Sequence, residues 1–402
     1  MNAGCPPAPG RPFNRVGART LATAVVLLCA LALAGCASRH SRDAWLALGD
    51  FMAGAQPSSL KSKTAAPTRK PVVYRAAGRD HLADLYLPGD GAPEAALVLV
   101  PGVVPEGNRD ARLVEFATTL ARLRFAVLAP EPSGYRDLRI APRHVEELAA
   151  AMRHLAARDE VPPGAPLGIA AFSYAAGPAV LAALQDDLRG RVDFVLAVGG
   201  YYSLHDAIRF FTTGWYDIAG ERRHLQASQY PKMVFIRSTL EHLDDPRDRY
   251  LLNAMVDARL DDPEADLSSL AAGLGPQGRS VYRLLTNTDP ARVPQLIEAL
   301  PLQTQATLDA LTLANKPLRA LQARIILVHG KTDPLIPYSE SHALARALPS
   351  GRANVFIIHR ILGHVDLSLA SVFSPRFWQE QIPDAWRLHR ALTLLLRQRT
   401  GA

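Results

Sequence analysis

From Pro71 onward the chain alternates continuously apolar runs with amphipathic stretches, and these two patterns define its elements. "PVVYRAA" (71–77) and "HLADLYLPGDG" (81–91) read as a strand pair closed by a Pro-Gly-Asp-Gly turn. "AALVLVPG" (95–102), "FAVLAPEPSG" (125–134), "APLGIAAFS" (165–173), "VDFVLAVGGYYS" (192–203), "ARIILVHG" (323–330) and "ANVFIIH" (353–359) are strands, and uniformly apolar runs of this kind are buried on both faces. Helices are predicted between them. Leu113, Phe116, Leu120 and Leu123 recur at three- and four-residue spacing, and 144–157, 175–188, 339–348 and 384–396 follow strands in the same way. Such alternation predicts an α/β protein with a doubly wound, mainly parallel sheet covered on both faces.

The rhythm breaks between Leu204 and Leu321, where helical patches such as 249–260 and 293–314 follow one another. "YPKMVFIRS" (230–238) fits a strand poorly because a helical pattern follows it. So long a segment is not a loop. It is expected to be a helical cap, residues 205–320, inserted into a core formed by 71–204 and 321–402.

Composition narrows the function classes. With 48% hydrophobic and 21% charged residues, the 402-residue chain can bury a large core. Of the net charge of +7, Arg11, Arg15 and Arg19 lie ahead of any acid, leaving about +4 scattered without a basic stripe, which argues against nucleic-acid binding. The three cysteines, Cys5, Cys29 and Cys36, all precede residue 37, so the body has no disulfide framework, zinc cluster or thiol nucleophile. No cofactor or metal motif is present in the sequence.

The first residues read as an address. Three arginines precede an uncharged run from Thr20 to Ala34, shorter than the ~20 residues that span a bilayer. The run ends in "LAGC" (33–36), which resembles the bacterial lipobox. The resemblance implies a signal peptide over 1–35, lipid (palmitate-type acyl chains) on Cys36, and a body outside the cytoplasm; an uncleaved membrane anchor is the alternative. Ala37, where retained lipoproteins carry aspartate, implies the outer membrane, facing the periplasm. Residues 36–70 are expected to form a flexible tether, with "DAWLALGDFMAG" (43–54) a short amphipathic helix packed on the body.

The candidate chemistry begins at "GIAAFSYAAG" (168–177). Ser173 sits between a buried strand and a helix, the context of a nucleophile elbow, although Ala171 and Ala175 replace the glycines of G-x-S-x-G. Alone, the stretch is equally a helix start with a chance serine. Asp333 in "VHGKTDPLIP" and His364 in "RILGHVDLSL" each follow a strand, and loops at strand C-termini converge on one sheet edge. A histidine can take the serine proton while the aspartate fixes its tautomer. His329 and His359 lie in or at the ends of strands and read as core residues. "HGKT" (329–332) lacks the earlier glycine of a phosphate-binding loop.

With these residues in the order Ser…Asp…His, the chain resembles the α/β-hydrolases from about Pro71 to Arg399, especially serine esterases that are dienelactone-hydrolase-like or acyl-peptidase-like. "YLPGDG", "LVLVPGVVPEG", "GIAAFSYAAGPAVLAAL" and "VHGKTDPLIP…LGHVDL" carry the resemblance. It implies Ser173 as nucleophile, Asp333 as acid and His364 as base. It also implies an oxyanion hole from the backbone N–H groups of Tyr174 and Val103, with Val104 as near alternative and Pro101-Gly102 where the family often has His-Gly. The expected activity is hydrolysis of a small-molecule ester through an acyl-enzyme. A peptidase, an acyltransferase or a catalytically silent envelope binding protein are the competing readings. Phe210, Phe211, Trp215 and Tyr216 in the cap, and Tyr174, Glu106 and Tyr135 in the core, are candidate pocket residues.

Overall fold

The computed structural model describes residues 39–364 and 381–401. Cys36 and the expected signal peptide lie outside the described residues.

The chain enters with helix α1 (Arg39–Ala53) and a turn, then strands β1 (Thr68–Ala76) and β2 (Arg79–Leu87). The two strands pair antiparallel through a two-residue turn at Ala77 and Gly78, both at positive φ. The turn expected to close the pair, 88–91, instead lies after β2. A two-residue turn with both φ positive matches strand twist, so the register locks at Ala76–Arg79.

Next come β3 (Ala95–Val100), α2 (Ala111–Arg122), β4 (Phe125–Pro130), α3 (Arg143–Ala156), β5 (Leu167–Phe172), α4 (Ala176–Ala183) and β6 (Val192–Val198). The insertion follows: α5 (Leu204–Thr213), a hairpin of β7 (Trp215–Ile218) and β8 (Glu221–His224), then α6 (Tyr230–Thr239), α7 (Pro246–Asp261), α8 (Ser268–Ala272), α9 (Pro276–Leu285), α10 (Val293–Glu298) and α11 (Leu302–Leu311). The core resumes with β9 (Arg324–Gly330), α12 (Ser339–Ala347), β10 (Ala353–Ile358) and α13 (Ile382–Arg397).

Eight strands form one sheet in the order β1-β2-β4-β3-β5-β6-β9-β10. In this sheet β4, β3, β5, β6, β9 and β10 run parallel, and β2 alone is reversed, pairing antiparallel with both β1 and β4. This is the expected doubly wound α/β architecture. Alternate side chains of β3 show why both faces are apolar. Ala96, Val98 and Val100 join a core with Leu148 of α3, Val180 of α4 and Leu344 of α12. Leu97 and Leu99 point the other way, among Ala47 of α1, Leu120 of α2 and Leu395 of α13. Burial of a side chain of this size contributes about 1.5–3 kcal/mol, so the central strands anchor both layers.

Two segments depart from expectation. Within the expected tether, the helix over 43–54 packs on the body as expected, and the 54–70 stretch expected to be flexible is part of the body too. Asp50 of α1 is buried, accepts hydrogen bonds from Ser58 and from Thr119 of α2 (2.7 Å), and lies 3.3 Å from the Lys61 ammonium. Leu60 is buried as well, and β1 begins at Thr68. Serine and lysine content suggested solvation, but here those side chains close a local network around one carboxylate. In the insertion, the β7–β8 hairpin carries no strand pattern in the sequence, because the strands are four residues each and β8, "ERRH", is entirely exposed. Residues 230–238 are helical, in α6.

Candidate active site

Ser173 follows the last residue of β5 and opens a single 3-10 turn before α4. Phe172 is still extended (φ −106°, ψ 139°), whereas Ser173 has φ +56°. A left-handed backbone at a non-glycine residue costs of order 1–3 kcal/mol and persists only where the surroundings impose it. Ala171 and Ala175 are both fully buried, so methyl groups fit where the elbow motif usually has glycine. The glycine that the turn does require is Gly177. A Cβ there would lie 2.1 Å from the Tyr201 hydroxyl, which donates to the Leu311 carbonyl of α11 (2.9 Å). α4 therefore seats directly on the residue that leads into the insertion.

Asp333 and His364 meet across the loops after β9 and β10. His364 Nδ1 lies 2.6 Å from Asp333 Oδ2, and both residues are buried. Asp333 Oδ1 accepts from the backbone N–H of Leu335 (2.8 Å) and Ile336 (3.1 Å), which fixes the carboxylate plane. Burial works against ionisation of Asp333, but the charge of His364, then hydrogen bonds from His329 and His364, outweigh it and hold the carboxyl well below its usual range. An ionised carboxylate only accepts, so Nδ1 of His364 carries a proton and Nε2 is the ring nitrogen turned away from Asp333. Among the described residues Nε2 is buried without a hydrogen-bond partner.

Two features hold the His364 loop. A Cβ on Gly330 would lie 2.0 Å from the Gly363 carbonyl, so the end of β9 must be glycine for the loop to cross it. The buried Asp384, in the first turn of α13, accepts from the N–H groups of His359 (2.9 Å), Arg360 (2.6 Å) and Ile361 (3.3 Å), and from Arg387. Asp384 was not a sequence candidate. An aspartate near a helix start reads as an ordinary first-turn acid, and nothing in its neighbours signals a loop twenty-odd residues back.

His329 is fully buried in β9. Its Nε2 faces the Ile336 carbonyl (2.9 Å) and Asp333 (3.3 Å), and its Nδ1 accepts from Ser341 (2.7 Å). It braces Asp333 from behind, as a core residue. His359 sits beside Asp384 through its backbone.

Ser173 and His364 line one cavity together with Gly102, Val103, Val104 and Tyr230. A second cavity, under the insertion, is lined by Ser173, Tyr174, Val103 and Phe211 among others. Val103 and Tyr174, whose backbone N–H groups were the expected oxyanion donors, thus flank the serine. The Tyr230 hydroxyl donates to the Val103 carbonyl (2.8 Å), tying α6 to that loop. Tyr174 is anchored by its own hydroxyl near Ala141 and His144. Burial pushes the His144 imidazole down to about 3, so it stays neutral, its Nε2 proton directed at the Ser133 carbonyl.

Of the other pocket candidates, only Phe211 and Tyr174 reach a cavity at the serine. Phe210 is buried against Tyr216, Trp215 packs on His224, Tyr135 is enclosed in the core, and Glu106 is exposed.

No protein-family model matches the chain, and no curated protein matches it. Solved structures do resemble it. An α/β hydrolase, GrgF, from Penicillium sp. sh18 aligns over 82% of this chain and 99% of its own at 15% identity, with a TM-score of 0.47. A dienelactone-hydrolase-like promiscuous phosphotriesterase from metagenomic libraries aligns over 84% and 99% at 13% identity (TM-score 0.40). For the acylaminoacyl peptidase of Pyrococcus horikoshii, the alignment covers 82% of this chain and 41% of that one at 11% identity (TM-score 0.42).

Proposed function

We propose that the protein is a serine hydrolase that cleaves a carboxylic ester through Ser173, His364 and Asp333, anchored to the bacterial envelope by lipid on Cys36. The observation that carries the catalytic reading is the buried pairing of His364 with Asp333, with His364 and the left-handed Ser173 lining one cavity and Nε2 of His364 without a hydrogen-bond partner among the described residues. A serine held at φ +56° and a histidine whose basic nitrogen is left unpaired are each costly. Together they have a use only where a proton must be moved.

The steps follow from the atoms. His364 Nε2 takes the Ser173 proton as Oγ bonds to the ester carbonyl carbon, and the carbonyl oxygen becomes an oxyanion held by the N–H groups of Val103 and Tyr174. Collapse expels the alkoxide, which takes the proton back from Nε2. Water repeats the sequence on the acyl-enzyme, releasing the acid and free Ser173. Asp333 stays ionised throughout and stabilises the imidazolium.

Labelling of the full chain in detergent with a fluorophosphonate tests this reading. A single adduct on Ser173, absent in Ser173→Ala, is expected. A folded protein that is never labelled would overturn it and favour a silent binding role. Growth with radiolabelled palmitate, compared with Cys36→Ala, tests the anchor separately.

A further inference from the structure

A third cavity lies beyond the serine and has no place in the chemistry above. It sits between α1, α13 and the sheet, and encloses about 100 Å³, of the same order as the ~150 Å³ apolar cavity known to stay dry and accept benzene. Among the described residues its wall is hydrocarbon: Leu48 of α1, Leu196 and Val198 of β6, and Leu388, Ala391 and Leu392 of α13 carry most of it. Among the described residues no charged or hydrogen-bonding side chain lines it. Three phenylalanines, Phe51, Phe116 and Phe172, line both this cavity and the one that contains Ser173 and His364. Their rings meet edge to face, Phe51 on Phe116 at 5.8 Å and Phe116 on Phe172 at 6.1 Å. Phe172 directly precedes the serine, so the slot begins one residue from the reacting atom.

We infer that this slot binds a long hydrocarbon arm of the ester substrate, laid past the three phenylalanines between α1 and α13. The inference rests on the serine-hydrolase reading for the reaction, and on the cavity itself for the ligand. The occupant follows from two observations. A hydrocarbon wall rejects polar groups. The three phenylalanines shared with the serine cavity put the slot beside the reacting residues, which fits a ligand whose far end carries the ester. The hydrocarbon arm belongs either to the acid or to the alcohol; His364 lines the shared cavity in both cases.

Two ester series decide between these sources on the full chain in detergent: methyl esters of C4 to C16 acids, and acetates of C4 to C16 alcohols. Each buried methylene contributes about fourfold in binding. We expect kcat/KM to rise at least tenfold from C4 to C10 in one series, which names the arm. Ala391→Phe, which fills the slot from α13, and Ala47→Phe, which fills it from α1, each lower the C10-to-C4 ratio by tenfold or more. Calorimetric binding of dodecanoate to Ser173→Ala gives a readout independent of turnover, and Ala391→Phe in that background abolishes it.

Flat profiles in both series together with no dodecanoate binding overturn the inference even if fluorophosphonate labels Ser173. Dodecanoate binding by a protein that is never labelled keeps the slot and removes the hydrolase reading.

Discussion

Asp333 is ionised and wholly buried, and His364 is its hydrogen-bonded partner at 2.6 Å. The aspartate holds the Nδ1 proton and so fixes the ring, with His364 lining the cavity that Ser173 also lines. Asp333→Asn can donate as well as accept, which allows the wrong tautomer. We expect kcat to fall about 10³–10⁴-fold with near-normal folding by circular dichroism, since comparable replacements in serine triads cost about 10⁴.

Ser173→Gly separates strain from chemistry. Glycine adopts positive φ without penalty, so this variant should be about 1 kcal/mol more stable than the parent protein in urea unfolding while losing ester turnover. Equal or lower stability would mean that the surroundings of Ser173 compensate its backbone fully.

Tyr230→Phe removes the hydroxyl that holds the Val103 carbonyl. Its effect should fall on kcat more than on KM, by about three- to tenfold, because a misplaced oxyanion donor is felt mainly in the transition state. Steady-state kinetics on a short ester reads the split.

Asp384→Ala should act at a distance. Three backbone N–H groups lose their acceptor and the His364 loop loosens. We expect fluorophosphonate labelling to slow at least tenfold, with a stability loss of about 1–3 kcal/mol, mainly from the buried Ile361 N–H left without its acceptor. Full labelling speed would show that Gly330 and Asp333 alone position the loop.

Glu340 of α12 predicts a pH dependence of stability. It is enclosed, accepts from the N–H groups of Tyr202 (2.9 Å) and Ser203 (2.8 Å), and burial pushes it up to about 7 despite those bonds. Its folded value lies above the unfolded one, so the folded state holds the extra proton. The stabilisation is complete below about 4.5 and is lost as pH rises through about 7. Urea unfolding at pH 5 and pH 8 should show the fall, and Glu340→Gln should flatten it.

The core was legible where one physical signal dominated. β3, β4, β5 and β9 are uniformly apolar because both their faces are covered, and each was placed to within a few residues. Ser173, Asp333 and His364 could be picked out because each follows such a strand, and a parallel sheet sends all those loops to one edge. Asp384 and Tyr230 act through backbone groups distant in sequence, and no local pattern encodes that. The helix that carries Phe51 was legible from its amphipathic pattern, but the 54–71 stretch after it reads as a polar spacer, whereas Ser58 and Lys61 gather around the buried carboxylate of Asp50.

That placement of α1 shortens any mooring. If Cys36 carries the lipid, only Ala37 and Ser38 separate it from the helix start at Arg39. Three peptide steps reach at most about 11 Å at ~3.6 Å each. The helix that walls the hydrocarbon slot would then ride at the bilayer surface, without a leash long enough to sample the surrounding compartment. Such an enzyme collects substrate by lateral diffusion in two dimensions, and its rate follows the surface density of amphiphiles rather than their bulk concentration. Cutting the chain ahead of Arg39 would change where it works and leave the slot intact, while cutting after Ala53 would remove one of its walls.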